Sequence, residues 1–177
     1  MRCIFIVAAR LSSAFLVMVL AACNPTFNWR VARADGAELV ALLPCKPDRA
    51  SRRVVLAGQP LDLQMMGCEA GGGTFAVSHA RLPDAAKANE VLAEWRLVTL
   101  ANMHAVAPRE AGFVPKGAIA LPSSVQTVAV GRRADGLPVM AHAAWFAKGD
   151  VVFSAVIYAD SLSPEVAEAF FSGLVLQ

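Results

Sequence analysis

The apolar runs of this chain are cut to strand length. "SSVQTVAVG" (123–131), "PVMAHAAWFA" (138–147) and "VVFSAVIYA" (151–159) each hold nine or ten residues and stop at charges, glycine or proline. That is the length and punctuation of β-strands. "AELVALLP" (37–44), "SRRVVLA" (51–57), "LDLQMMGCE" (61–69) and "GGGTFAVSHARL" (71–82) read the same way. "GQP" joins two of them as a hairpin, and "KGD" (148–150) is short enough to close another. Such a chain folds around a sheet rather than as a bundle of membrane helices, although 56% of its 177 residues are hydrophobic and its mean hydropathy is +0.51. A spanning helix needs about 20 apolar residues. The one N-terminal candidate is broken by Arg10, and Leu11 to Ala22 reaches only about 18 Å as a helix.

Two segments change period. Between Pro83 and Met103, Val91, Trp95, Val98 and Asn102 recur every three or four residues, with Leu92 and Thr99 beside them, which predicts one amphipathic helix. Asp84 suits the positive end of its dipole. Near the end, Ser163 can cap, Pro164 fits the first helical position, Glu165 complements the dipole and Gly173 can close a second helix. Val166, Phe170 and Ala169 are its expected inward residues. Ala105–Gly117 shows no period and reads as irregular. The expected class is α+β: an antiparallel β-sheet packed against a mid-chain helix and a C-terminal helix. With an opening strand ending at Leu43-Pro44, a late hairpin and a final "AFFSGLVL" (169–176), the chain resembles the PsbP-like sandwich domains of bacterial envelope lipoproteins. The resemblance covers about residues 37–177 and implies a binding or assembly accessory. It carries over no catalytic residue, and a fold alone does not license a function.

Arg2 and Arg10 form a positive n-region, "LSSAFLVMVL" (11–20) an apolar h-region, and small residues follow, the order of a secretory signal. "LAAC" (20–23) resembles the lipobox of bacterial lipoproteins. That resemblance implies that the Cys23 thiol accepts a diacylglyceryl group, that the chain is cut just before it, and that the new amino group is acylated. Several acyl chains make such an anchor effectively permanent. Asn24, rather than aspartate, after the cysteine implies sorting to the outer membrane. The competing reading is an ordinary cleaved signal with an incidental cysteine. The expected organisation is a lipoprotein signal peptide over 1–22, a lipidated N-terminus and short tether over 23–36, and a single α+β periplasmic domain over 37–177. The expected location is the bacterial cell envelope, lipid-anchored and facing the periplasm.

Removal of Arg2 and Arg10 leaves 14 basic against 14 acidic residues. With no net field, nucleic acid is not an expected partner, nor is an anionic lipid surface. Cys45 and Cys68 remain as an even pair in an oxidising compartment, which predicts a disulfide closing a loop of about 24 residues. A redox pair competes but lacks the two-residue spacing, and a zinc site with His79 competes more weakly.

"GGG" (71–73) is followed by a strand rather than a helix, so it reads as a turn and not a phosphate cradle. There is no G-x-S-x-G and no H-E-x-x-H, and His79, His104 and His142 stand at no ligand spacing. No catalytic residue, metal or cofactor is therefore expected. Arg132 and Arg133, beside Asp135, either grip a carboxylate or phosphate or form a solvated hairpin tip. Trp145 and Phe146 fall on opposite faces of a strand, which makes one of them core and the other a candidate partner contact. Arg132, Arg133 and Trp145 are thus the candidate ligand or partner contacts. The Met65-Met66 pair reads as packing, one thioether to each side. The leading expectation is a non-catalytic, membrane-anchored module for binding or envelope assembly, with an envelope protein as partner. The alternatives are a small-ligand carrier with a groove between sheet and helix, and an enzyme built around His142 and Asp150.

Overall fold

The computed structural model describes residues 26–177. The expected signal segment and the expected lipidation site, Cys23, lie outside the described residues. The elements follow as β1 (Arg30–Arg33), β2 (Leu39–Leu43), β3 (Asp48–Leu56), β4 (Gln59–Ala70), β5 (Gly73–Arg81), α1 (Ala88–Asn102), β6 (Val106–Gly112), β7 (Val125–Arg132), β8 (Pro138–Lys148), β9 (Val151–Ala159), α2 (Pro164–Ser172) and β10 (Val175–Leu176). Seven strands form one antiparallel sheet in the order β3-β4-β5-β9-β8-β7-β6, and β1-β2-β10 form a second. Two sheets and two helices make the expected α+β class, mostly sheet.

The large sheet is covered on both faces, and the period of two along each strand decides what goes where. Ala143, Trp145 and Ala147 of β8 join the core beneath α1 with Val91, Leu92 and Trp95. Ala144 and Phe146 join the opposite core with Phe153, Phe170, Phe171 and the small sheet's Leu39 and Leu43. Trp145 and Phe146 are both fully buried, so neither is surface, and Trp145 is corrected from candidate contact to core. A strand covered on one side only leaves one of two neighbours outside; this one is covered on both. Met66 and Met65 do divide between the two cores.

Ordered packing begins before residue 37. Phe27 stacks on Trp29 at 6.0 Å, and both rings meet Phe75 edge-on. The backbone after them pairs with β2, from Arg30↔Leu43 to Arg33↔Val40. Residues 27–36 therefore belong to the domain, because two aromatic rings and a free strand edge find partners there. Gly71 turns β4 into β5 at φ 58°, and a Cβ on it would lie 2.5 Å from the Phe27 ring.

Ala105–Gly117 is not wholly irregular either, since β6 pairs with β7 across a register shift between Val106 and Arg109. Every residue of β6 is exposed. An edge strand wet on both faces needs no alternation, and Pro108 and the bulge blunt its free side. Cys45, just after β2, is bonded to Cys68 of β4 with Cα atoms 5.9 Å apart, joining the two sheets.

In α1 the inner face is Ala88, Val91, Leu92 and Trp95, while Val98 is 40% exposed, so the apolar contact ends earlier than predicted. In α2 the Ser163 hydroxyl accepts from the Val166 amide at 3.3 Å and Pro164 opens the first turn. Its buried stripe is Ala167, Phe170 and Phe171, with Val166 and Ala169 half-buried. A Cβ on Gly173 would fall 2.4 Å from that of Leu42, so glycine lets the end of α2 rest on β2. No helix among the described residues is long and apolar enough to cross a membrane.

Candidate functional site

Between α2 and the large sheet lies an open groove of about 760 Å³, inside the ~300–1,000 Å³ range of small-molecule sites. Strand alternation builds its floor. On β7, Thr127 and Ala129 are buried on the α1 side, which turns Gln126 and Val128 toward the groove. Met140 and His142 of β8 continue it, and Leu162, Ala167 and Phe171 supply the α2 wall. Phe113, in the loop after β6, closes the far side, with its ring 6.0 Å from that of Phe146 and 5.9 Å from that of Phe171. The lining is mainly apolar, with Gln126, His142, Lys116 and Glu168 among its few polar side chains.

His142 is the polar centre. Its ring lies 4.5 Å from that of Phe171. Burial pushes its pKa below the ordinary histidine value, so the imidazole is neutral at neutral pH. A neutral imidazole offers one donor and one acceptor to a ligand's polar end. Burial is the one cause of its shift, and no carboxylate among the described residues hydrogen-bonds to it. Asp150 pairs with Arg81 in the turn after β8, whose end at Lys148 lies six residues and about 20 Å along the strand from His142. The strand thus holds His142 and Asp150 apart, and the structure does not bring them into one site.

The other predicted positions fall elsewhere. His79 is buried with Nε2 3.0 Å from the Asp35 carbonyl oxygen, a satisfied core histidine, and burial lowers its pKa as well. His104 is exposed at the end of α1. Cys45 and Cys68 are bonded to each other, and among the described residues no three His, Cys, Asp or Glu side chains come together as a metal site. Arg132 and Arg133 flank the β7–β8 turn and line a separate recess on the α1 side, together with Arg52.

The sequence suggests a groove between sheet and helix only within the carrier alternative and names none of its lining for it; His142 enters there only beside Asp150, as part of an enzyme. Phe113 sits in a segment without period, and nothing in the strand and helix patterns sets Val128, Met140 or Phe171 apart. The available signal was the late helix itself, too short to cover every apolar residue turned toward it. No protein-family model matches this chain, and no curated protein matches it.

Proposed function

We propose that this protein is a non-catalytic binding module of the bacterial envelope, a PsbP-like sandwich held by lipidated Cys23 and facing the periplasm from the outer membrane. Its ligand is a small apolar molecule carried in the groove beneath α2. The observation that carries this reading is the groove itself: pre-formed, ligand-sized, apolar and fitted with one neutral imidazole. Its mainly apolar lining supports the carrier form of a binding module. The docking of Phe27 adds to it. Four residue steps from Cys23 to Phe27 span at most about 15 Å, which keeps an anchored domain against the leaflet where apolar molecules reside. Benzoylphenylalanine placed at Val128 of the full chain, irradiated in intact cells, tests the reading. An added mass of small-molecule size at that position is expected, with none when the probe replaces Leu97, which is 60% exposed on α1. A cross-linked protein instead would turn the role to assembly, and absence of any adduct at Val128 would overturn groove binding.

A further inference from the structure

The large sheet has two free edges, and they differ. β6 is interrupted by Pro108 and a register shift, whereas β3 runs unbroken against β4 from Asp48↔Gly67 to Leu56↔Gln59, with no proline and no bulge. Its hairpin is closed by Ala57 and Gly58 alone, both at positive φ. In a two-residue hairpin the flanking pair exchanges both backbone hydrogen bonds, and such pairs then alternate along the ladder. Leu56, Val54, Arg52, Ala50 and Asp48 therefore bond inward to β4. Val55, Arg53, Ser51 and Arg49 turn their N–H and C=O groups outward, where no strand among the described residues meets them. An open row of backbone donors and acceptors of this length is a template for a further strand.

The side chains say what kind of strand fits. Arg49 pairs with Asp35 at 3.0 Å, and Arg53 pairs with Asp62 at 3.1 Å, directly across the hairpin. Arg52 is exposed and meets no carboxylate among the described residues. It lies on the α1 side, where it lines a recess of about 440 Å³ with Leu63 and Met65 of β4 and Trp95 of α1. An open edge, an uncommitted guanidinium and a recess thus stand side by side. In strand addition the main chain supplies affinity, and pockets at alternate residues supply specificity.

A second copy of the chain does not suit this edge. Outward residues pair with outward residues, so the centred antiparallel register sets Arg52 against its own copy. Registers two residues to either side set Arg49 against Arg53, or Arg53 against itself. Like charges directly opposite destabilise a ladder.

We propose that the β3 edge is a docking site for an extended acidic segment of another protein, which joins the large sheet as an additional strand. A carboxylate on that segment faces Arg52. An apolar side chain two positions along it passes over Ala50 toward Met65 and the recess. The site lies at the far edge of the sheet from the α2 groove, and neither depends on the other.

Amide exchange in the purified full chain, with and without the blocked heptapeptide TVTETVT, tests this. The probe reads the same in both directions, so it sets one glutamate between two valines on one face whichever way it runs. At ten times its Kd, exchange at Arg49, Ser51, Arg53 and Val55 should slow about tenfold, while Ala50, Arg52 and Val54, already bonded to β4, change little. TVTKTVT should bind about tenfold more weakly, since attraction opposite Arg52 becomes repulsion. Arg52→Glu should reverse that preference. Ser51→Pro removes one outward N–H and no bond to β4, so it should abolish binding of both peptides with little change in the urea midpoint. Arg52→Glu leaves the backbone untouched and decides the matter should the proline variant not fold. Slowing of those four amides by the protein's own concentration, without peptide, would assign the edge to a second copy and overturn the proposal. Slowing confined to β6 or spread evenly along β3, equal affinity for the two peptides, or no saturation by about 10 mM, where a site of millimolar affinity would be nearly filled, would overturn it too.

Discussion

The Cys45–Cys68 bond allows a calculation from loop length. The bridge closes 24 residues, and in the chain-entropy view that constraint on the unfolded chain is worth about 3.4 kcal/mol at 25 °C. The structure sets a lower value too. The closed loop is the β3–β4 hairpin, whose outermost pair is Asp48↔Gly67, next to the bridge. If that hairpin persists in the unfolded ensemble, the effective loop shrinks to about six residues and the stabilisation to about 2.2 kcal/mol. Replacing both cysteines with alanine should therefore lower the urea midpoint by about 1.1–1.7 M, taking a slope of about 2 kcal/mol/M for a domain of this size. Wild type in reductant keeps its sulfur atoms but loses the constraint, so it should unfold close to the double variant. A midpoint within about 0.3 M of the oxidised wild type would refute the argument. It would mean that packing between the sheets, rather than the covalent tie, holds β2 over β4.

Two further outcomes are expected. Cys23→Ser should abolish labelling by radioactive palmitate and leave a precursor of unchanged length, whereas continued labelling would remove the anchor. His79 and His142 are both held below the ordinary histidine pKa by burial, so below about pH 6.5 the unfolded chain binds more protons than the folded one. Stability should be intact above that pH and fall as acid carries it down through the folded-state pKa values; a urea midpoint equal at about pH 7.5 and pH 5 would contradict this.

What the sequence made legible was local chemistry. Ser163 and Pro164 mark the start of α2 because a cap and a donor-free first turn depend on neighbours along the chain. The rotation of that helix is different: Ala167 and Phe171 face inward because of where the sheet lies, and over nine residues the stripe can be read one position astray. β6 has no alternation to read, since both its faces are wet. Phe27 and Trp29 fall within the expected tether because their partner, Phe75, is some fifty residues away in sequence. For the recesses the limit was the same. Arg132 and Arg133 announce themselves as neighbours, but Arg52 joins them only through the strand order.

The two recesses share a geometric origin. Seven strands at about 4.8 Å spacing make a sheet roughly 30 Å wide, and a helix about 10 Å across covers little more than two of them. Each face must therefore keep a strip that its helix does not reach. On the α1 side that strip carries serines, threonine, tyrosine and arginines, the residues that make uncovered sheet tolerable in water. On the α2 side the small sheet covers part of the face, and the remaining strip keeps Val128, Met140, Leu162 and Phe171. Exposed apolar surface forgoes about 25 cal/mol for every Å² left in water. The α1 side shows that this same sheet accommodates a polar strip. An apolar strip retained on the other side is what a covering molecule would explain, and the ligand proposed for the α2 groove would lie on it.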